Sequence, residues 1–115
     1  MMNERDFVEI IRKVVGENAI KSVKERIENP PGRSPDKELL DLSNWFKSLT
    51  NNEKEKINLL IKDSVDESVF GFLCVLDGAR AIEKSGGKGK LLLYYEKDGE
   101  KILINDFEKD LLHIY

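Results

Sequence analysis

Asp98-Gly99 constrains the fold more than any other pair of residues, because it separates two short segments rich in strand-forming residues. A type I′ hairpin turn needs positive φ at both central residues, and Asp-Gly is one of the pairs that adopt this conformation readily. The sequence therefore predicts an antiparallel β-hairpin in which residues 91–97 pair with residues 100–105. A two-residue loop also fixes the register of the two strands.

This register places apolar side chains on both faces of the hairpin. One face is wholly apolar and consists of Leu91, Leu93, Tyr95, Ile102 and Ile104, with Tyr95 opposite Ile102 and Leu93 opposite Ile104. The other face combines the favourable charge pair Glu96 and Lys101 with three apolar residues, which are Leu92, Tyr94 and Leu103. Because an isolated hairpin is marginally stable in water, we expect both faces to be covered, the second by the N-terminal helix or by a partner.

Helical spacing of apolar residues dominates the first thirty positions, where Asn3 is a candidate N-cap. This pattern predicts either one long helix over residues 4–28 or two helices broken at Gly16. Ser34-Pro35-Asp36 then predicts the start of another helix. Its broad apolar face, which we expect to pack in the core, comprises Leu39, Leu40, Leu42, Trp45, Phe46 and Leu49.

Two capping boxes, Thr50 with Glu53 and Ser64 with Glu67, predict further helices that begin near residues 51 and 65. The second of these contains the apolar run 69–76, which lacks a polar side and is therefore predicted to be a central helix that continues to about Ile82. A short terminal helix, capped by Asn105 or Asp106, is predicted after the hairpin and would hold Phe107, Leu111, Leu112 and Ile114.

Taken together, these elements predict an α+β fold. We expect a mostly helical single domain over residues 1–115, with four or five helices, one hairpin near the C-terminus and the short terminal helix.

Composition limits the classes of partner. The net charge is −3 with both signs interspersed, which argues against nucleic-acid binding, because that function needs a concentrated cationic face. The longest apolar run has about eight residues and the N-terminus lacks a secretory pattern, so we expect no membrane insertion. Cys74 is the only cysteine and lies in an apolar run, which predicts a buried thiol in a cytoplasmic protein.

No complete catalytic or metal-binding pattern is present in the sequence, and we expect no metal or cofactor. Asp63, Asp66 and Glu67 share a helical face but match neither a magnesium nor a calcium pattern. The glycine-rich loop 84–90 lacks the strand-to-helix context of a phosphate-binding loop. His113 is the only histidine and is predicted to be an exposed terminal residue.

For Asp77 and Arg80 the sequence leaves two interpretations, one of which is a polar site. If the central helix continues past residue 77, Asp77, Arg80 and Glu83 form a ladder of helical ion pairs. The alternative hypothesis is a partly buried polar pocket formed by Asp77, Arg80 and Glu67 at the end of that helix.

Two functions follow from these observations. The first is a non-enzymatic protein–protein interaction module that binds another protein, or a second copy of itself, through the outer hairpin face and the free strand edges. In size, acidity and helix-plus-hairpin composition the chain is similar to many small bacterial immunity and antitoxin-like proteins, although no motif carries this likeness. The second is a small enzyme or small-molecule binder that uses the polar pocket.

Overall fold

The computed structural model describes residues 2–87 and 89–115, so Lys88 of the glycine-rich loop lies outside the described residues. Helix α1 comprises three uninterrupted stretches, α-helical Glu4–Ile11, π-helical Arg12–Glu17 and α-helical Asn18–Glu28. Helices α2 and α3 span Lys37–Ser48 and Asn51–Leu76. Strands β1 and β2 span Tyr94–Lys97 and Glu100–Leu103, and a 3-10 turn spans Leu112–Ile114. The fold is therefore α+β, as predicted.

Residues 4–28 form one continuous helix, α1, rather than two. Ile11 and Asn18, which flank the π-helical stretch on its two sides, both keep right-handed helical dihedrals, so the chain continues through Gly16 without a break. The predicted N-cap is confirmed, because the Asn3 side chain accepts a 2.9 Å hydrogen bond from the Asp6 backbone N–H. A π-helical turn holds more residues than an α-helical turn and shifts the side chains that follow it around the helix.

Helix α3 corrects the predicted start near residue 65. The capping box of Thr50 and Glu53 does begin a helix, but that helix continues for 26 residues through Ser64. The Ser64 carbonyl accepts a 2.7 Å hydrogen bond from the Ser68 hydroxyl within the helix. Residues 51–76 thus form one helix, and the chain has three helices rather than four or five in the described residues.

The end of α3 corrects a second expectation. Gly78 has φ of 74° directly after the C-cap residue Asp77, and the helix stops there instead of continuing to Ile82. Glycine adopts this left-handed conformation without steric cost and commonly ends helices in this way. The helical ion-pair ladder of Asp77, Arg80 and Glu83 therefore does not form, because its second and third members lie beyond the helix.

The hairpin confirms the predicted turn and register. Asp98 and Gly99 have φ of 52° and 77°, as a type I′ turn requires. Tyr95 pairs with Ile102, and Glu96 pairs with Lys101. The paired strands are shorter than predicted, although the Ile104 backbone N–H still donates a 2.8 Å hydrogen bond to the Leu93 carbonyl.

The predicted terminal helix is absent from the described residues. Asp106 instead forms a turn, in which its side chain accepts a 3.0 Å hydrogen bond from the Glu108 backbone N–H. Aspartate side chains compete with the helical hydrogen-bond pattern in this way. Only the 3-10 turn Leu112–Ile114 follows.

The core lies where the two ends of the chain meet the end of α3. Its buried members come from α1, α3, the segment after β2 and the 3-10 turn, and they are Val8, Leu73, Leu76, Ile104 and Leu112. The inner hairpin face packs against it through Leu93, Tyr95 and Ile102. Phe46 of α2 is buried outside this cluster of core residues. Trp45, which was expected in the core, is about half exposed.

The molecule is elongated for its length. Its radius of gyration is 18.6 Å, whereas a compact domain of this length has about 13 Å. Many large apolar side chains are exposed along the helices and the outer hairpin face. Among residues 2–87 and 89–115, no helix combines the length and apolarity needed to cross a bilayer.

Candidate functional site

Asp77 is buried at the end of α3, where the C-terminal segment occupies its carboxylate. Its Oδ1 accepts a 2.8 Å hydrogen bond from the Leu112 backbone N–H, and its Oδ2 accepts one of 2.7 Å from the His113 backbone N–H. The His113 Nδ1 also lies 2.7 Å from Oδ2. A carboxylate can only accept, so the imidazole carries its proton on Nδ1 in this contact. Asp77 therefore fastens the C-terminal segment to the end of α3.

Arg80 and Glu67, the other two members of the predicted polar pocket, are both exposed. The Arg80 guanidinium lies over Gly71, where a Cβ would come within 2.5 Å of its Nη1. Among the described residues, no hydrogen bond or ion pair joins any two of Asp77, Arg80 and Glu67. The pocket stays a prediction, and the Asp77 carboxylate already has its partners within the chain.

Asn105 is a buried polar residue whose role the sequence does not indicate. Its side-chain oxygen accepts a 2.8 Å hydrogen bond from the Leu93 backbone N–H. Its Nδ2 donates to the carbonyls of Leu76 and Leu91, at 2.8 and 2.7 Å. One amide thus joins the end of α3 to both segments that flank the hairpin. No local signal identifies this role, because the partners lie 12 to 29 residues away.

The outer hairpin face has no cover within the described residues at its two most exposed positions. Leu92 is 55% exposed and Tyr94 48% exposed, while Leu103 is partly buried. The Lys101 ammonium lies 4.4 Å from the centre of the Tyr94 ring, a favourable cation–π contact. The N-terminal helix therefore does not provide the cover expected for this face, which remains available to a partner.

An apolar groove runs between α1 and α3, with a volume of about 280 Å³. Side chains spaced four residues apart form one wall on each helix, Phe7, Ile11 and Val15 on α1 and Ser68, Phe72 and Leu76 on α3. Val69 and Leu73 complete its lining. Phe72 is 60% exposed and Val15 48% exposed, so both walls are open to solvent.

The groove follows from the sequence once the pairing of α1 with α3 is known. Residues four apart lie on one side of a helix and form a ridge, and two such ridges enclose a furrow. The apolar spacing in each helix is visible in the sequence, but which side of each helix the core covers is not. For this reason the groove could not be predicted from the sequence alone.

A wider cleft lies between α1 and the hairpin, with a volume of about 680 Å³. Its charged lining is mostly acidic, with Asp6, Glu9, Asp98 and Glu100 against Lys97. Within residues 2–87 and 89–115, no cluster of three or more histidine, cysteine or carboxylate side chains is arranged to hold a metal ion. The groove between α1 and α3 has no charged side chain in its lining, so it is chemically more uniform than this cleft.

Comparison with known proteins supplies no relative. No family model, no curated protein and no solved structure matches this chain. The functional argument therefore rests on the geometry of the chain itself.

Proposed function

We propose that this chain is a non-enzymatic protein–protein interaction module that acts in the cytoplasm as part of a complex. The observation that carries the proposal is the amount of surface that the single chain leaves open. Its accessible surface is 8586 Å², which is roughly 2,200 Å² more than expected for a compact monomer of its mass. A specific protein interface hides about 800 Å² on each partner, so the excess is large enough for one or more interfaces.

The outer hairpin face, defined by Leu92, Tyr94 and Leu103, is the surface we assign to a partner protein. Tyr94 combines a large apolar ring with a hydroxyl, and tyrosines with this character are common at the centres of interfaces. In the part of the chain that the structure describes, the sheet consists of β1 and β2 alone, so each strand has one edge without a neighbouring strand. An extended segment of a partner can add to such an edge through backbone hydrogen bonds.

The alternative proposal is a small-molecule binder or small enzyme that uses Asp77, Arg80 and Glu67. It requires the Asp77 carboxylate to leave its three hydrogen bonds with the C-terminal segment or to share them with a ligand. A thermal-shift panel of small polar ligands tests it directly. A ligand that raises the melting temperature of the wild type, but not of Asp77→Asn, would favour this alternative.

The interaction module is tested by affinity capture from native lysate with the wild type and Tyr94→Lys. We expect the wild type to retain a specific protein and Tyr94→Lys to lose it while keeping its circular dichroism spectrum. Leu59→Lys is the matched control, because it introduces the same charge at an exposed apolar position on α3. Equal capture by wild type and Tyr94→Lys would contradict the assignment of the hairpin face. A wild type that is monomeric and captures nothing would contradict the module itself.

A further inference from the structure

We propose that a charged recess between the π-helical stretch of α1 and the middle of α3 binds a small aliphatic amino acid in its zwitterionic form. The recess has a volume of about 160 Å³. It is distinct from the apolar groove, because the two sets of lining residues share only Val69. A ligand site of this kind goes beyond the proposed function, which concerns protein partners.

Arg12 supplies the recess with a hydrogen-bond donor that the chain itself does not use. Its side chain is partly buried, and its Nε is buried without a hydrogen-bond partner among the described residues. No described carboxylate forms an ion pair with it either. A buried donor without a partner costs free energy and is rare in native structures. Because a guanidinium matches a carboxylate through two parallel hydrogen bonds, we assign Arg12 to the carboxylate of the ligand.

Glu17 lines the same recess because the stretch Arg12–Glu17 is π-helical. In an α-helix, two residues five apart differ by about 140° around the axis and point to different sides. A π-helix repeats from residue i to residue i+5, which brings Arg12 and Glu17 to one side of α1. Glu17 is exposed and forms no ion pair within residues 2–87 and 89–115. Its carboxylate is therefore available to a cationic group of the ligand.

The charges of the lining select a ligand that carries both signs. Lys62 and Asp66, the other two charged residues of the recess, form an ion pair with each other. Arg12 and Glu17 are left as one cation and one anion. A simple anion would be repelled by Glu17 and a simple cation by Arg12. The neighbouring carboxylate and ammonium groups of an amino acid pair with both.

The uncharged part of the lining determines what the rest of the ligand can be. Ile20 and Val69 are apolar, and Gly16 between the two charged residues of α1 contributes no side chain. An aliphatic side chain gains free energy by leaving water for such a surface. The recess has room for roughly five water molecules, so the ligand must be small. A free amino acid with a short aliphatic side chain meets these requirements.

An amide NMR titration of the full chain with L-valine tests the proposal. We expect the amide signals of Gly16 and Val69 to shift as the ligand binds. Isovalerate and isobutylamine are the matched probes, because each keeps the valine side chain but lacks the ammonium or the carboxylate group. Each should bind at least about tenfold more weakly than L-valine, since one charged residue stays unpaired. L-alanine and L-leucine cover a shorter and a longer side chain.

Variants of the two charged residues assign the contacts. Arg12→Gln and Glu17→Gln should each weaken L-valine binding by about tenfold or more. Arg12→Lys keeps the charge but loses the planar fork, so it should also weaken binding, and it serves if Arg12→Gln does not fold. Arg26→Gln is the matched control, because Arg26 is an exposed arginine of α1 outside the recess. It should bind L-valine like the wild type.

Three results would overturn the proposal. The first is that none of the three amino acids shifts the amide signals of the recess. The second is that isovalerate or isobutylamine binds as tightly as L-valine, which would exclude recognition of a zwitterion. The third is unchanged L-valine affinity in folded Arg12→Lys and Glu17→Gln. Tyr94→Lys should keep the affinity of the wild type for L-valine, so this test is independent of protein capture by the hairpin face.

Discussion

The Oδ2 atom of Asp77 lies 2.7 Å from Nδ1 of His113, and this contact joins residues 36 positions apart. The imidazole also meets the Phe70 ring edge to face, with 6.0 Å between the ring centres. Because Asp77 is the C-cap of α3, these contacts hold the C-terminal segment against the helix end. They place Leu112, which is fully buried, in the core. His113 is consequently not the exposed terminal residue expected from the sequence, since its side chain is only 24% exposed.

Asp77→Asn should destabilise the fold. An asparagine keeps one accepting oxygen but presents an NH₂ group to donors that Asp77 now satisfies, so at least one buried N–H is left without a partner. The expected loss is about 1–3 kcal/mol in the free energy of unfolding, measured by urea denaturation. Asp110→Asn is the control, because that exposed carboxylate only accepts a hydrogen bond from the Tyr115 hydroxyl. Equal stability of Asp77→Asn and wild type would show that the carboxylate does not fasten the segment.

The elements that could be predicted from the sequence are those set by short-range signals. Asp98-Gly99 determines both the turn and the register, because positive φ at two adjacent positions leaves few alternatives. The caps at Asn3 and Thr50 were also predictable, since each side chain bonds a backbone N–H three residues away. In all three cases the stabilising contact lies within the same few residues as the signal.

The elements that could not be predicted depend on contacts between distant segments. Ser64 with Glu67 has the sequence of a capping box, yet a capping box forms only where the chain enters a helix, and here the helix is already present. The uncovered outer hairpin face, the apolar groove and the bonds of Asp77 depend on how α1, α3 and the C-terminal segment pack. No local pattern in the sequence specifies that packing.

Asn105→Asp should lower the free energy of unfolding more than the same substitution does at an exposed position. The replacement puts a carboxylate oxygen where Nδ2 now donates to the carbonyls of Leu76 and Leu91, so acceptors would face each other in a buried place. We expect a loss of about 2 kcal/mol or more in the free energy of unfolding, measured by urea denaturation. Asn52→Asp is the matched control, because a carboxylate in the exposed first turn of α3 is favourable. Similar effects of the two variants would contradict the role of Asn105.

The capping box at the start of α3 makes a prediction about pH. Hydrogen bonds from Thr50, first its backbone and then its side chain, lower the pKa of the Glu53 carboxyl below its ordinary value. A carboxyl with a lowered pKa in the folded state stabilises the fold above its unfolded pKa, and this contribution is lost as pH falls through the folded pKa. Thr50→Ala removes only the side-chain part, so the pKa of Glu53 should rise part of the way back.

An NMR titration of the Glu53 carboxyl carbon in wild type and Thr50→Ala measures this shift. Ser64→Ala serves as the control, since Ser64 lies inside α3 and should leave the pKa of Glu53 unchanged. The same pKa for Glu53 in wild type and Thr50→Ala would mean that the threonine side chain does not contribute to lowering the pKa of the Glu53 carboxyl.

Because the Arg80 guanidinium lies over Gly71, we expect the effects of Gly71→Ala and Arg80→Ala on stability to be coupled. Alanine in a helix interior is more stable than glycine by about 0.5–1 kcal/mol, but a methyl group at position 71 would come within 2.5 Å of Arg80 Nη1. The arginine must then move away and lose its packing over the helix. Gly71→Ala should therefore stabilise the protein less in the wild type than in the Arg80→Ala background.

A double-mutant cycle by urea denaturation measures this coupling, which we expect to be about 0.5 kcal/mol or more. Gly16→Ala is the control, because a methyl group there would meet Val69 Cγ2 at an ordinary contact distance of 4.0 Å. Its effect should be the same with and without Arg80. If Gly71→Ala also has equal effects in both backgrounds, the guanidinium does not rest on Gly71 in solution, and Arg80 is free to face a partner or ligand beside α3.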